Sequence, residues 1–497
     1  MDRGRRRALI FFWATVILSL GLGVLIYLEP GWWNHNSEYR WQVLWHGRKE
    51  MALWVFSGLS AVVVLSYVIW ENFLSQLAGR SRDFSAGVLI LLAGILSPVV
   101  LAQVDRYGSY ELLIRVLVAD HTGYFTDAQR FGSREELVRT YLENWGSLQT
   151  HSRTHPPGVI LVFMGLNRVA ERSEGVQRVC QYLVGADAER GLKEHFQVDP
   201  AGQAGGMLAL ALMLISGAMS AVLGYYLLRR FYSAELSFIS SLVLVSLPAF
   251  SHQAPMMDQV FAVLILGSAL IALGGMGKLF RVGIWRMLPA GIVVGAGLWL
   301  SPGVWSALIL IPLLSAAEMK TRQPDLTVIQ ILKKLAPAEL IIIAGIIFGL
   351  WLGSLLAGAS WLEIYRVNRL GWDFNNTISG RLSPWKWMIF NPYEFLFWCS
   401  LPVFLGVLVK IWLEVKSGGF SGKIDFFFWF SGAFFIILNF SGQICYESPR
   451  LCWFCLPLIS GMSATGLITA MKKLHRLILI AFLELIIFQT VLLRLIY

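Results

Sequence analysis

Apolar runs, most of them roughly 17 to 25 residues long, recur along this chain, the length that crosses about 30 Å of hydrocarbon as a helix. They lie at 8–28, 51–71, 86–104, 204–228, 235–250, 259–276, 286–300, 303–318, 338–358, 394–413, 425–441, 451–470 and 475–495. The pattern predicts an all-α polytopic membrane protein of about 13 transmembrane helices (11–14), with interfacial helices on the outer face. One further apolar run, Val159–Val169, is too short to cross and is expected to lie as an interfacial or re-entrant helix on the outer side.

Basic residues punctuate the ends of these runs. Met1–Arg7 carries four arginines, which places the N-terminus in the cytoplasm by the positive-inside bias. Alternation then assigns to the cytoplasm the connections holding Arg80 and Arg82, Arg229 and Arg230, Lys278 with Arg281 and Arg286, Lys320 to Lys334, Lys410 to Lys423, and Lys472 with Lys473 and Arg476. Arg48 and Lys49, on the outer side, are the exception. The first run lacks a small-residue cleavage site and reads as an uncleaved helix. Three polar segments fall on the outer face: 105–203, 359–393 and Gln443–Arg450; by the same alternation seven of the eight histidines, all but His475, are on the outer side.

Composition agrees with this class. The chain is 56% hydrophobic and 14% charged over 497 residues, which would expose far more apolar surface than water tolerates. A net charge of +10 points to topology determinants rather than to nucleic acid, because of where the basic residues sit. The CxxC formed by Cys452 and Cys455 lies in an apolar run without a second metal-spaced pair, which favours buried thiols. No P-loop, GxGxxG, HExxH or GxSxG is present, so ATP is not an expected ligand.

Candidate chemistry concentrates on the outer segments. Asp120-His-Thr-Gly-Tyr124-Phe-Thr-Asp127 opens the early loop. Asp120 reads either as a solvated loop acid or as a general base for an attacking hydroxyl, and Asp127 and Asp105 compete for that role. His151, Arg153 and His155 precede Pro156-Pro157, which hold the backbone extended and present His155 at the start of a helix. They either hold a phosphate or anchor an interfacial helix at headgroup depth. Asp258 lies at the outer mouth of a span, as an N-cap or as a partner for the loop's basic residues. Glu447 and Arg450 open a late span, where a guanidinium suits a lipid phosphate. The stretch Arg366–Glu394, rich in Trp, Asn and Tyr, fits a sugar or an aromatic belt.

The order of these features resembles the GT-C superfamily of integral-membrane glycosyltransferases, which includes the protein O-mannosyltransferases and the lipid A aminoarabinose transferases. It comprises an acid-x-x-x-Tyr stretch after an early span, a basic residue before Pro-Pro, a span ending in Arg-Arg, Pro…Asp at the next outer turn, and a late Glu-x-x-Arg-Leu. The resemblance covers roughly residues 86–470; two spans within 1–85 precede it, and 86–497 forms the GT-C-like unit. It implies a polyprenyl-phosphate-sugar donor and inverting transfer on the extracytoplasmic face of a bacterial plasma membrane. The acceptor it implies is a glycan, lipid or protein. Asp120 matches the catalytic base, Asp258 the acid of the next outer turn, and His155 and Arg450 the basic residues of the lipid-phosphate region. A divalent cation, Mg or Mn, bridging Asp120 and Asp258 is one source of positive charge for the phosphate; His151, Arg153, His155 and Arg450 are the other.

A secondary transporter or flippase of a lipid-linked or anionic substrate is the main rival. It would call for inverted repeats and acids at mid-span, whereas no such symmetry is visible and the charges gather at the outer boundary. A non-catalytic scaffold would tolerate Asp120→Asn. A polymerase or ligase of lipid-linked glycans on another fold would carry its large outer loop late in the chain rather than early.

Overall fold

The computed structural model describes residues 13, 16–18, 21, 48–119, 122–185, 190, 192–194, 198–276, 285, 287–378, 384–416, 425–441, 451–470 and 475–496. None of the described residues is in a β-strand. Helices α1 (Ala52–Asn72) and α2 (Gly79–Leu101) form an antiparallel pair. The early loop then folds as six short helices: α3 (Tyr110–Leu117), α4 (Tyr124–Arg130), α5 (Arg134–Asn144), α6 (Thr150–Thr154), α7 (Gly158–Arg172) and α8 (Glu174–Val184). The bundle continues with α9 (Pro200–Leu228), α10 (Ala234–Ser246), α11 (Pro248–His252), α12 (Asp258–Met276), α13 (Met287–Leu298), α14 (Ala307–Arg322) and α15 (Val328–Ala357). The second loop holds α16 (Trp361–Ile378) and α17 (Pro384–Trp398), followed by α18 (Leu401–Lys416), α19 (Phe426–Phe440), α20 (Leu456–Ala470) and α21 (His475–Ile496).

Five helical stretches are long and apolar enough to cross a membrane: Ala52–Gln76, Gly79–Val104, Pro200–Leu228, Pro302–Arg322 and Val328–Ala357. Shorter apolar helices include Ala234–Ser246, Asp258–Gly274, Met287–Leu298, Phe426–Phe440 and Trp453–Ile468. The protein is therefore a membrane-embedded helical bundle. Two expected spans are interrupted. The run at 235–250 breaks at Leu247, where Pro248 begins a new helix because its ring cannot continue the old ladder. The run at 394–413 breaks at Ser400, whose φ of 74° lies in the left-handed region. The run at 338–358 extends in the other direction: its helix starts at Val328, fixed by a capping box of Thr327 and Gln330.

Charged residues gather at the two ends of the bundle. At one end Arg229 and the Tyr225 hydroxyl both donate to Asp83, at 3.2 Å and 2.7 Å. Beside them Arg230 and Arg322 pair with Glu318, and Lys410 bridges Glu414 and Asp425 at 2.7 Å and 2.9 Å. At the opposite end, with the early loop, Arg494 of α21 holds Asp105 through two parallel bonds. One acid departs from this arrangement. Glu484 lies midway along α21 and accepts from the Ser60 hydroxyl of α1 at 2.5 Å. It departs from the expected gathering of charges at the ends of the apolar runs.

Helices α13 and α15 pack backbone against backbone. Gly291 and Gly295 face Gly345 and Gly349, and a Cβ on Gly291 would lie 2.1 Å from the Ile342 carbonyl oxygen. Small residues four apart let two backbones meet where lipid offers no hydrophobic incentive to associate. Gly291→Leu is expected to lower the thermal unfolding temperature in detergent, by roughly 1–3 kcal/mol of overpacking or more. Gly267→Leu, at a position with open space around its Cα, is the control and should change little. This ridge reaches the early loop through Trp299. Its indole donates to the Leu350 carbonyl at 3.3 Å, and its own carbonyl would lie 2.1 Å from any Cβ on Gly158. That contact explains the glycine after Pro156-Pro157: only Gly lets α7 begin directly against the end of α13.

Candidate functional site

Pro156 and Pro157 forbid a helical conformation just before them, and His155 is accordingly extended, at φ −122° and ψ 149°. Its carbonyl accepts from the Tyr141 hydroxyl of α5 at 3.0 Å. Burial pushes the Tyr141 phenol well above its ordinary range, so it remains a donor at neutral pH. The His155 ring stacks on Phe261 at 5.6 Å and meets the Tyr124 ring edge-on at 5.8 Å. Phe261 stands one turn after Asp258 in α12, and residues three apart share a helix face. The early loop and the mouth of α12 are thus joined at His155.

Asp258 is half-buried in the first turn of α12, where the helix dipole favours a carboxylate. The side chain of the next residue helps close the helix start, since Gln259 Oε1 accepts from the Met256 backbone at 3.2 Å. His151 and Arg153 lie on α6, both half-buried. Arg153 Nε donates to the Leu148 carbonyl at 2.7 Å, and its guanidinium lies 5.9 Å from the Phe374 ring centre of α16. Helix α16 therefore closes over α6, with Gly371 packed directly on the Arg153 carbonyl.

Asp127 is fully buried and has a different task from the one a base requires. Its Oδ2 accepts from the Gln149 backbone at 2.9 Å, and its Oδ1 from Arg130 at 3.0 Å. It clamps α4 to the start of α6. Gly123, at φ +72°, packs against Gln149 at the same joint, where a Cβ would lie 2.4 Å from the glutamine Cβ. Asp105 is likewise committed, to Arg494. Both alternative acids are thus engaged in contacts that tie one element to another, Asp127 with Gln149 and Arg130, Asp105 with Arg494. Asp120, Glu447 and Arg450 lie outside the described residues.

Tyr124 and His155 are accordingly in contact, and the His155–Phe261 stack brings the end of α6, which carries His151 and Arg153, to the first turn of α12, which carries Asp258. Sequence reasoning missed Tyr141, Phe261, Phe374 and Gly123. Of these only Gly123 had a legible signal, as a glycine in a tight turn before a helix. Among the described residues no three His, Cys, Asp or Glu side chains form a metal-holding group. A half-buried Asp258 carboxylate suits a divalent cation when a second acid completes the set.

Beneath this cluster lies a buried ionic knot. Arg115 donates to the His252 carbonyl at 3.0 Å and Arg494 to the same oxygen at 3.3 Å. The His252 ring is bonded to the Thr490 backbone, and its Nε2 is buried without a partner among the described residues. Burial, then the Arg494 and Arg115 guanidiniums, hold the His252 pKa well below its ordinary value. The folded state binds this proton more weakly than the unfolded chain does. The His252 contribution is therefore complete above the unfolded pKa of about 6.5, declines as pH falls below it, and is gone past the folded value. The unfolding temperature is expected to drop between pH 7 and pH 5, and His252→Gln to flatten that slope. Comparison with known proteins returned no matching family model and no matching curated sequence.

Proposed function

We propose that this protein is a glycosyltransferase that moves a sugar from a polyprenyl-phosphate donor to a hydroxylated acceptor on the extracytoplasmic face of the membrane. The observation that carries the reading is the contact of the His155 ring with Tyr124 and Phe261, which sets the early loop, with His151 and Arg153 just before His155, against the first turn of α12, where Asp258 lies. A lipid-borne phosphate presented from the bilayer would meet positive charge and an acid together there.

In this mechanism Asp120, three residues before Gly123, takes the proton of the acceptor hydroxyl as its oxygen attacks the anomeric carbon. The bond from that carbon to the phosphate oxygen breaks on the opposite face, with inversion, and polyprenyl phosphate departs with the electron pair. Arg153, His151, His155 and Arg450 stabilise the charge that grows on the phosphate. Asp258, with Asp120, would hold Mg or Mn, which lends further positive charge to the phosphate when bound. No nucleotide is needed, since the donor arrives already activated. The reading includes about 13 spans, a cytoplasmic N-terminus and residence in a bacterial plasma membrane; the end holding Arg229 and Arg230 then faces the cytosol.

The test is to incubate purified protein with a panel of synthetic polyprenyl-phosphate sugars. Release of polyprenyl phosphate is expected from at least one of them; intact donors throughout, with protein that is folded, would end the proposal. A transport reading draws on the mid-span Glu484. It predicts that Glu484→Gln stops substrate movement into proteoliposomes, whereas the transferase reading predicts unchanged donor turnover in that variant.

A further inference from the structure

Helix α8, the last of the early loop, has a wider apolar surface than the bundle covers. At about 100° per residue, Val176, Cys180 and Val184 share the side that faces the protein. Val176 and Cys180 pack with Ala170 of α7 on Ala204, Met207 and Leu208 of α9. Beside them on the helix surface Val179 and Leu183 point outward, 59% and 60% exposed, and Tyr182 stands at the edge, 88% exposed. The remaining side is polar: Arg178 pairs with Glu174 at 3.0 Å, and Gln177 donates to the Ala170 carbonyl at 2.8 Å. Single exposed apolar residues are ordinary on any surface; a contiguous set opposite a polar side marks a helix that lies in an interface.

Helix α9 sets the level at which this face sits. Its 29 residues run about 43 Å at 1.5 Å per residue, longer than the roughly 30 Å of hydrocarbon. One end is fixed by Arg229 and Arg230, paired with Asp83 and Glu318 among the charges that close the bundle there. About 20 residues back from that end the hydrocarbon stops, close to Leu208, and this is where α8 packs. Ala204, Leu208, Ala211 and Ile215 form one stripe of α9, spaced four, three and four apart. Its upper part lies under α8; farther along the same stripe Ala211 is exposed and Ile215 is 49% exposed. In a membrane-embedded bundle that bare part faces lipid, and the outward side of α8 continues it.

We infer that α8 lies in the plane of the membrane interface and that its partner is the lipid surface. Val179 and Leu183 are immersed at the boundary of the acyl chains, and the amphipathic Tyr182 ring sits among the headgroups. The Glu174–Arg178 pair is neutral, so the contact draws on apolar burial and needs no anionic lipid. The C-terminal part of the early loop thus rests on the bilayer. Neither the transferase reading nor the sidedness of the membrane enters this placement.

The experiment places one nitroxide at a time through Val179→Cys, Leu183→Cys, Glu174→Cys or Ile215→Cys, in full-length protein in phosphatidylcholine nanodiscs. These positions are all exposed, so an unchanged unfolding temperature is expected, and labelling of the unsubstituted protein is subtracted. Collisions with dissolved oxygen should exceed those with an aqueous nickel chelate at 179 and 183, as at 215, and the order should reverse at 174. The depth at 183 should be about 5–10 Å into the headgroup and acyl boundary. A nickel preference at 179 and 183 equal to that at 174 would overturn the inference. Exclusion of both reagents with dipolar broadening between labels would also overturn it, by giving the face to a second copy of the chain.

Discussion

Asp120→Asn is expected to lower sugar transfer by about a hundred- to ten-thousand-fold, the usual contribution of a positioned general base, with the unfolding temperature unchanged. Asparagine keeps the shape of the side chain but cannot take the acceptor's proton. The informative companion is Asp127→Asn. That carboxylate accepts from a backbone N–H and a guanidinium at once, and an amide must turn a donor toward one of them. Its loss of activity should therefore come with a lower unfolding temperature, by roughly 1–3 kcal/mol, and should recover in part on cooling. Measuring turnover and unfolding on both variants separates the two roles. An Asp127→Asn protein that is fully stable but inactive, beside an active Asp120→Asn, would move the base to Asp127.

Arg494→Met is expected to cost about 3–5 kcal/mol of stability, because it leaves a buried carboxylate without its partner. The Asp105 and Arg494 side chains are 11% and 2% exposed, so water cannot replace the guanidinium. Arg115 stands nearby but is engaged with the His252 and Ala254 carbonyls, at 3.0 Å and 3.5 Å. The double substitution Asp105→Leu with Arg494→Met should regain most of the loss, since two apolar side chains leave no orphaned charge. Thermal unfolding of the two single variants and the double variant gives the coupling directly. Additive losses would mean that the pair is not the anchor described above.

The apolar pattern made most of the bundle legible. The helices Pro200–Leu228 and Met287–Leu298 fall within a few residues of the runs at 204–228 and 286–300. The length of the first matches hydrocarbon thickness, a constraint that hydropathy reads directly; the second, at 12 residues, is legible by its apolar character alone. The interruptions at Leu247 and Ser400 were harder to see. Pro248 is a local signal, but the left-handed conformation of Ser400 is one that no periodicity encodes. The glycines of α13 and α15 were visible as two four-residue repeats, yet nothing in either run says that the two face each other. At the site, Pro156-Pro157 correctly announced an extended His155. Asp105 and Asp127 looked as suitable for catalysis as Asp120, because a carboxylate's burial and partners belong to the tertiary structure. Arg494 of the late helix α21 gave no sign that it would reach the early loop.

The bond from Arg494 to Asp105 spans 389 positions of the chain. During synthesis the start of the early loop must wait, half-built and carrying an uncompensated acid, until α21 has been translated and inserted. Maturation of the loop-bearing end is thereby tied to the arrival of that helix, and ribosome-stalled chains cut short before it would bury their apolar stretches without ever setting the loop in place.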